Sequence, residues 1–111
     1  MEKQNSFQHE EKGSWIKVVP GVERMIMGYD ENLMMVKVKF EKNAVGPLHF
    51  HPHLQSTYIA KGSFEVTIND KTSLLHEGDT FFVGSNLVHG VVCVEEGILI
   101  DAFNPARKDF L

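Results

Sequence analysis

The chain predicts a single all-β domain, a sandwich or barrel of antiparallel strands. Three observations carry that expectation. Apolar and polar residues alternate with a period of two in several segments, turn-forming residues punctuate the chain at regular intervals, and no window carries helical apolar spacing. Eight or nine short strands are expected, with no internal repeat and no low-complexity segment.

Residues 1–14 are polar and read as a flexible arm, in which His9 is a solvated side chain. The domain proper is expected over residues 15–111. Residues 15–19 (Trp-Ile-Lys-Val-Val) form a short strand that stops at the turn pair Pro20-Gly21. Residues 22–29 form a second strand, and Asp30-Glu31-Asn32 turns the chain back. In residues 33–40, Met34, Val36, Val38 and Phe40 alternate with Met35, Lys37 and Lys39, the mark of a half-buried strand. Residues 56–60 make a strand up to Lys61-Gly62, and residues 63–68 alternate again. Asn69-Asp70-Lys71 and Glu77-Gly78-Asp79 are turns that bound strands at 72–75 and 80–83. Segments 90–94 and 97–103 are strands joined by Glu95-Glu96, and only the tail 104–111 lacks strand character.

The bulk properties narrow the functional classes. A length of 111 residues with 42% hydrophobic and 23% charged residues fits one globular domain. No apolar run approaches the roughly 20 residues that cross a bilayer, and Met1-Glu2-Lys3-Gln4-Asn5 leads into polar sequence unlike a secretory signal. No membrane role is expected. A single Cys93 cannot form an internal disulfide, which suits a reducing cytoplasm. The net charge of −4 and the absence of a basic cluster count against nucleic acid as a partner. Met25, Met27, Met34 and Met35 read as core filling within strands rather than copper ligands, and Cys93 as a buried barrel residue.

The chemistry concentrates in Pro47-Leu48-His49-Phe50-His51-Pro52-His53-Leu54-Gln55. Alternate side chains of an extended strand share a face, so His49, His51, His53 and Gln55 point one way unless Pro52 breaks the register. A later histidine, His89, stands in a second turn-flanked segment. Facing strands inside a small barrel would bring His49, His51, Gln55 and His89 to one ion, as three imidazoles and an amide oxygen. The alternative is a surface strip, or core histidines bonded to backbone carbonyls.

These residues resemble the cupins, small β-barrels with a metal inside. The first cupin motif places His-x-His, then an acid, then a glycine at fixed intervals. His49-Phe50-His51, Gln55 and Gly62 follow that spacing, with Asn43 where a glycine opens the motif. Gly78, Gly84-Ser85-Asn86, His89 and Cys93 follow the spacing of the second motif, with Gly84, Asn86 and Cys93 in place of Pro, Gly and Asn. A His51/His53 pair would put the fourth ligand at Thr57 or Tyr58, so the spacing favours His49 and His51. His53 then becomes a pocket-lining or substrate-binding residue. The resemblance implies a single cupin barrel (double-stranded β-helix, or jelly roll). It also implies one divalent ion, Ni, Zn, Fe, Mn or Cu, on His49, His51, Gln55 and His89, and a homodimer that covers exposed strand edges.

The ending Asp101-x-Phe103-x-Pro105-x-Arg107-x-Asp109-Phe110-Leu111, taken with His49-x-His51-Pro52-His53-x-Gln55, resembles the pectin-degradation cupins of the KdgF group. Pro20-Gly21-Val22-Glu23-Arg24 and Leu33-Met34 are similar to that group as well, whereas Leu54 stands where its members usually carry Glu. The resemblance implies a sugar-acid substrate, an unsaturated monouronate from pectin or alginate, assisted towards its linear keto form. It implies Asp101 and Arg107 as catalytic residues and Phe103 as a pocket wall. Without it, Asp101 and Arg107 would read as an ion pair pinning the tail. Two other functions fit a metal-bearing barrel: a dioxygenase or lyase of another small molecule, and a non-catalytic sugar-acid-binding module.

Overall fold

Eight strands, all paired antiparallel, build the fold: β1 Ile16–Val19, β2 Val22–Tyr29, β3 Met34–Phe40, β4 Val45–His49, β5 Leu54–Ile68, β6 Lys71–His76, β7 Thr80–Val83 and β8 His89–Asn104. The computed structural model describes residues 6–111. Short 3₁₀ turns at Glu10–Lys12 and Lys108–Phe110 flank the strands. Most strands lie where the alternation puts them. In β3, Met34, Val36 and Phe40 are buried while Met35 and Lys39 face out, so Met35 is no core filler. Cys93 is buried, with Sγ 3.0 Å from the Glu95 carbonyl oxygen.

The two longest strands depart from the sequence expectation. Lys61-Gly62 and Glu95-Glu96 do not end strands; β5 and β8 each run straight through. These two strands pair with each other, and their register slips at Ile59/Lys61, Lys61/Ser63 and Ser63/Phe64, the mark of β-bulges. Gly62 has φ +80 there. The bulges bend both strands at one place, and each then changes its outer neighbour. The first half of β5 pairs with β7 and its second half with β6. The first half of β8 pairs with β4 and its second half with β3. One long antiparallel strand pair thereby runs through both walls of a jelly-roll barrel.

The interior is filled from one end. Val22, Phe40, Ile59, Phe64, Val66, Phe81, Val83, Cys93 and Leu99 form one core, in which the Phe40 and Phe64 rings meet edge to face at 5.2 Å. A smaller cluster, Met34, Val36, Phe103 and Ala106, lies under the C-terminal turn. Ahead of β1, Glu10 sits 3.2 Å from Lys37 Nζ and Gly13 packs against the Met25 side chain. No described helix is long and apolar enough to cross a membrane.

Candidate metal centre

The end of β4 and the starts of β5 and β8 meet at one point. His49 closes β4 and pairs directly with His89, the first residue of β8. Residues 50–53 are not a continuation of that strand. Pro52 breaks the register, so the expected single alternating face from His49 to Gln55 does not exist. The loop before β8 holds the bend instead: the Asn86 amide donates to the His51 carbonyl (2.8 Å) and the Ser85 hydroxyl to that of Pro52 (2.7 Å). Asn86 takes φ 63, a left-handed conformation that Asn accepts more readily than most residues. His51 arrives from this bend and Gln55 from the second position of β5.

The hydrogen bonds around the rings fix which atoms converge. Nδ1 of His49, His51 and His89 lies 2.9, 3.0 and 2.9 Å from the carbonyl oxygens of Pro47, His53 and Leu87. A carbonyl only accepts, so each Nδ1 carries the proton and each Nε2 presents a lone pair. The ligand atoms of the three rings lie within 4.8 Å of one another. Gln55 Oε1 stands 3.1 Å from His51 Nε2 and 3.2 Å from His89 Nε2. Its amide nitrogen faces away, donating to Thr57 Oγ1 at 3.0 Å and Asp101 Oδ1 at 3.3 Å. Four acceptor atoms therefore converge with no proton among them, an arrangement that a cation satisfies. Donors about 2.1 Å from one ion at right angles are about 3.0 Å apart, close to the spacing from Gln55 to the two rings. The residues fit a divalent metal held by three imidazoles and an amide oxygen.

Protonation follows from burial. His89 is pushed down to about 4, chiefly by desolvation and against its bond to the Leu87 carbonyl. Burial, then the Arg107 charge, also lowers His51. Both rings are neutral in the physiological range, as ligation requires. Asp101 goes the other way: burial raises it to about 6, opposed by the Thr57 hydroxyl, Arg107 and Gln55. Below 6.5 the unfolded chain takes up protons that His89 and His51 refuse. Their stabilisation is therefore present above 6.5 and lost as pH falls towards about 4. Asp101 opposes this, because a raised carboxyl stabilises below 3.8 and that contribution is lost as pH rises through about 6. Metal-stripped protein is expected to unfold at progressively lower temperature on acidification across this window, and more steeply as Asp101→Asn. Calorimetry showing no change in either protein would contradict the lowered His89 and His51 values.

Asp101 sits opposite Thr57 in the β5–β8 register, and the Thr57 hydroxyl donates to its Oδ1 at 2.6 Å. Gln55, Thr57 and Asp101 form one chain of hydrogen bonds from the metal-ligand set to a buried carboxyl. A cavity of about 400 Å³ opens beside it, bounded by His49, Gln55, His89, Asp101, Phe103 and Arg107, among others. Phe103 is buried, its ring 5.7 Å from that of His51. Arg107 does not pair with Asp101. Its Nε and one terminal nitrogen donate to Asp109 at 3.0 and 2.9 Å, and its guanidinium lies 4.3 Å over the Phe110 ring. His53 is not among the cavity's lining residues; its carbonyl holds His51, and its own Nδ1 is buried without a hydrogen-bond partner.

Sequence reasoning gave no site role to Thr57, Asp109, Phe110 and Arg24, all of which belong to this region. Thr57 was within reach, since it shares the inward phase of β5 with Gln55 and Ile59. Arg24 lies on β2 opposite Val38, two residues after Val22. The other two depend on how the tail folds back.

Comparison with known proteins agrees with this architecture. The sequence profile of the Cupin domain matches residues 36–101. The chain is 46% identical over 99 residues to the pectin degradation protein KdgF of Dickeya dadantii (strain 3937), covering 87% of this chain and 90% of that protein. Among solved structures, an RmlC-like cupin from Shewanella frigidimarina NCIMB 400 superposes with a TM-score of 0.96 at 39% identity, covering all of both chains. KdgF from Halomonas sp. does so with a TM-score of 0.92 at 37% identity, over 97% of this chain and 100% of that one. With the profile spanning more than half of its length and these relatives nearly all of it, the chain belongs to the cupin family, among its members of the KdgF type.

Proposed function

We propose that this cupin is a metal-dependent enzyme that assists ring-opening and ketonisation of 4,5-unsaturated monouronates derived from pectin or alginate. The observation that carries the reading is the hydrogen-bonded run from Gln55 through Thr57 to the buried Asp101, which couples a metal-ligand set to a titratable carboxyl beside a cavity. The similarity to a pectin degradation protein supports a pectin-derived sugar acid as the substrate class.

His49, His51, Gln55 and His89 would hold the ion. When bound, it supplies Lewis acidity towards substrate oxygens, and neutral ligands leave it the full charge that a carboxylate would partly cancel. The chain's own residues do the rest. Phe103 forms an apolar wall for the sugar ring, and the Arg107 charge beside it favours an anionic substrate. Asp101 carries the proton: as the anomeric hydroxyl loses one, the ring C–O bond breaks to give an aldehyde and an enolate, and the enolate carbon C4 gains one as C5 becomes the ketone. The reaction is an isomerisation and needs no co-reactant. Burial raises this carboxyl towards the range in which it gives and takes protons near neutrality.

Proton NMR of a lyase-generated unsaturated uronate tests the reading. Metal-loaded wild type is expected to open the ring faster than buffer, and Asp101→Asn to lose about 10²-fold or more while keeping its metal. A wild-type rate equal to that of buffer would sink it.

A further inference from the structure

Arg24 occupies an inward position on β2, opposite Val38, following the buried Val22 by two residues. Apolar residues normally line a barrel interior, and a buried guanidinium nitrogen must find a partner. Its Nε is buried and has no hydrogen-bond partner, and its guanidinium carbon lies 3.8 Å over the Phe110 ring. Arg24 lines the same cavity as His49, Gln55, Asp101 and Phe103.

The other guanidinium of that cavity is already engaged. Arg107 gives Nε to Asp109 Oδ1 at 3.0 Å and a terminal nitrogen to Oδ2 at 2.9 Å, so its fork holds one carboxylate of the chain itself. Both arginines rest on Phe110, at 3.8 and 4.3 Å from the ring centre. Stacking on an aromatic face orients a guanidinium and leaves its edge for in-plane hydrogen bonds.

We infer that Arg24 binds the substrate's carboxylate, with Arg107 held by Asp109 as a fixed positive charge beside it; the ligand's identity as a uronate rests on the function proposed above. Burial, then the Arg107 charge, work against the Arg24 cation and Asp109 favours it; an entering carboxylate adds a second favourable charge. The competing role for Arg24 is a staple that pins the Lys108–Phe110 turn through Phe110 alone.

Calorimetric titration of the metal-loaded protein separates the two, with galacturonate as an unreactive monouronate and galactose as its neutral counterpart. Wild type is expected to bind galacturonate at least about tenfold more tightly than galactose. Arg24→Met, which keeps the stem and loses the charge, should remove most of that preference and raise KM for the unsaturated uronate by a larger factor than it lowers kcat. Arg24→Lys, which keeps the charge and loses the fork, should retain metal and fold and lose about fivefold or more of the preference. Equal binding of the two sugars by wild type, or an intact preference in either variant, would overturn the assignment. A wild type that prefers galacturonate through Arg24 yet fails to open the unsaturated ring would uphold Arg24 and remove the proposed reaction.

Discussion

Replacing His89 by alanine is expected to empty the metal site and return ring-opening of an unsaturated monouronate to the rate in buffer. His89 is the most constrained member of the set. Its Nδ1 is tied to the Leu87 carbonyl, its Nε2 stands 3.2 Å from Gln55 Oε1, and it pairs across the ladder with His49. Removing it leaves His49, which is exposed, and His51, which hangs from a bend. Two imidazoles and an amide are a weak set for any first-row divalent ion. The loss should be about 10²-fold or more, since acid–base help from Asp101 has little to act on without a polarised substrate. Elemental analysis and the NMR rate must fall together. A His89→Ala protein that keeps its metal and its rate would show that the ion is held elsewhere.

The second large effect falls on the fold. Gly62→Ala is expected to destabilise the protein by about 3 kcal/mol, combining the cost of a left-handed conformation with overpacking. Gly62 has φ +80, and an added Cβ would run into the Glu95 and Glu96 carbonyl oxygens and lie 2.8 Å from Gly97 Cα. Backbone from the partner strand cannot swing aside as a side chain does. Gly97 stands across from it with the same constraint, since its added Cβ would meet the Lys61 carbonyl and lie 2.8 Å from the Phe64 ring. The bulge that Gly62 permits is what lets β5 carry Gln55 and Thr57 in one wall and Phe64 and Val66 in the other. A urea midpoint unchanged from wild type would mean that the crossing can open at little cost.

Legibility differed between the two halves of the site. The alternation in β3 and the turn before β7 were readable because each depends on a few neighbouring residues. The continuity of β5 and β8 was not. Lys61-Gly62 and Glu95-Glu96 look like turns, and only their pairing with each other makes them a shared bend. The expected ligand residues come together in space, by a different local route from an unbroken strand face. His49, His51 and Gln55 do not share a strand face, yet the intervals to Gly62 and His89 encode the register of the barrel, and that register places them together. The Arg107–Asp109 pair and the Phe110 platform were hidden because the tail has no periodicity to read. Arg24 gave no such signal, because β2 does not alternate and only its pairing opposite Val38 shows which way the residue faces.

The most direct test is to strip the protein with a chelator and titrate a divalent ion back while following both bound metal and ring-opening. The geometry of His49, His51, Gln55 and His89 predicts that activity disappears with the metal and returns in proportion to it, saturating at one ion per chain. Full ring-opening activity in the stripped protein, or saturation with no gain in rate, would contradict it.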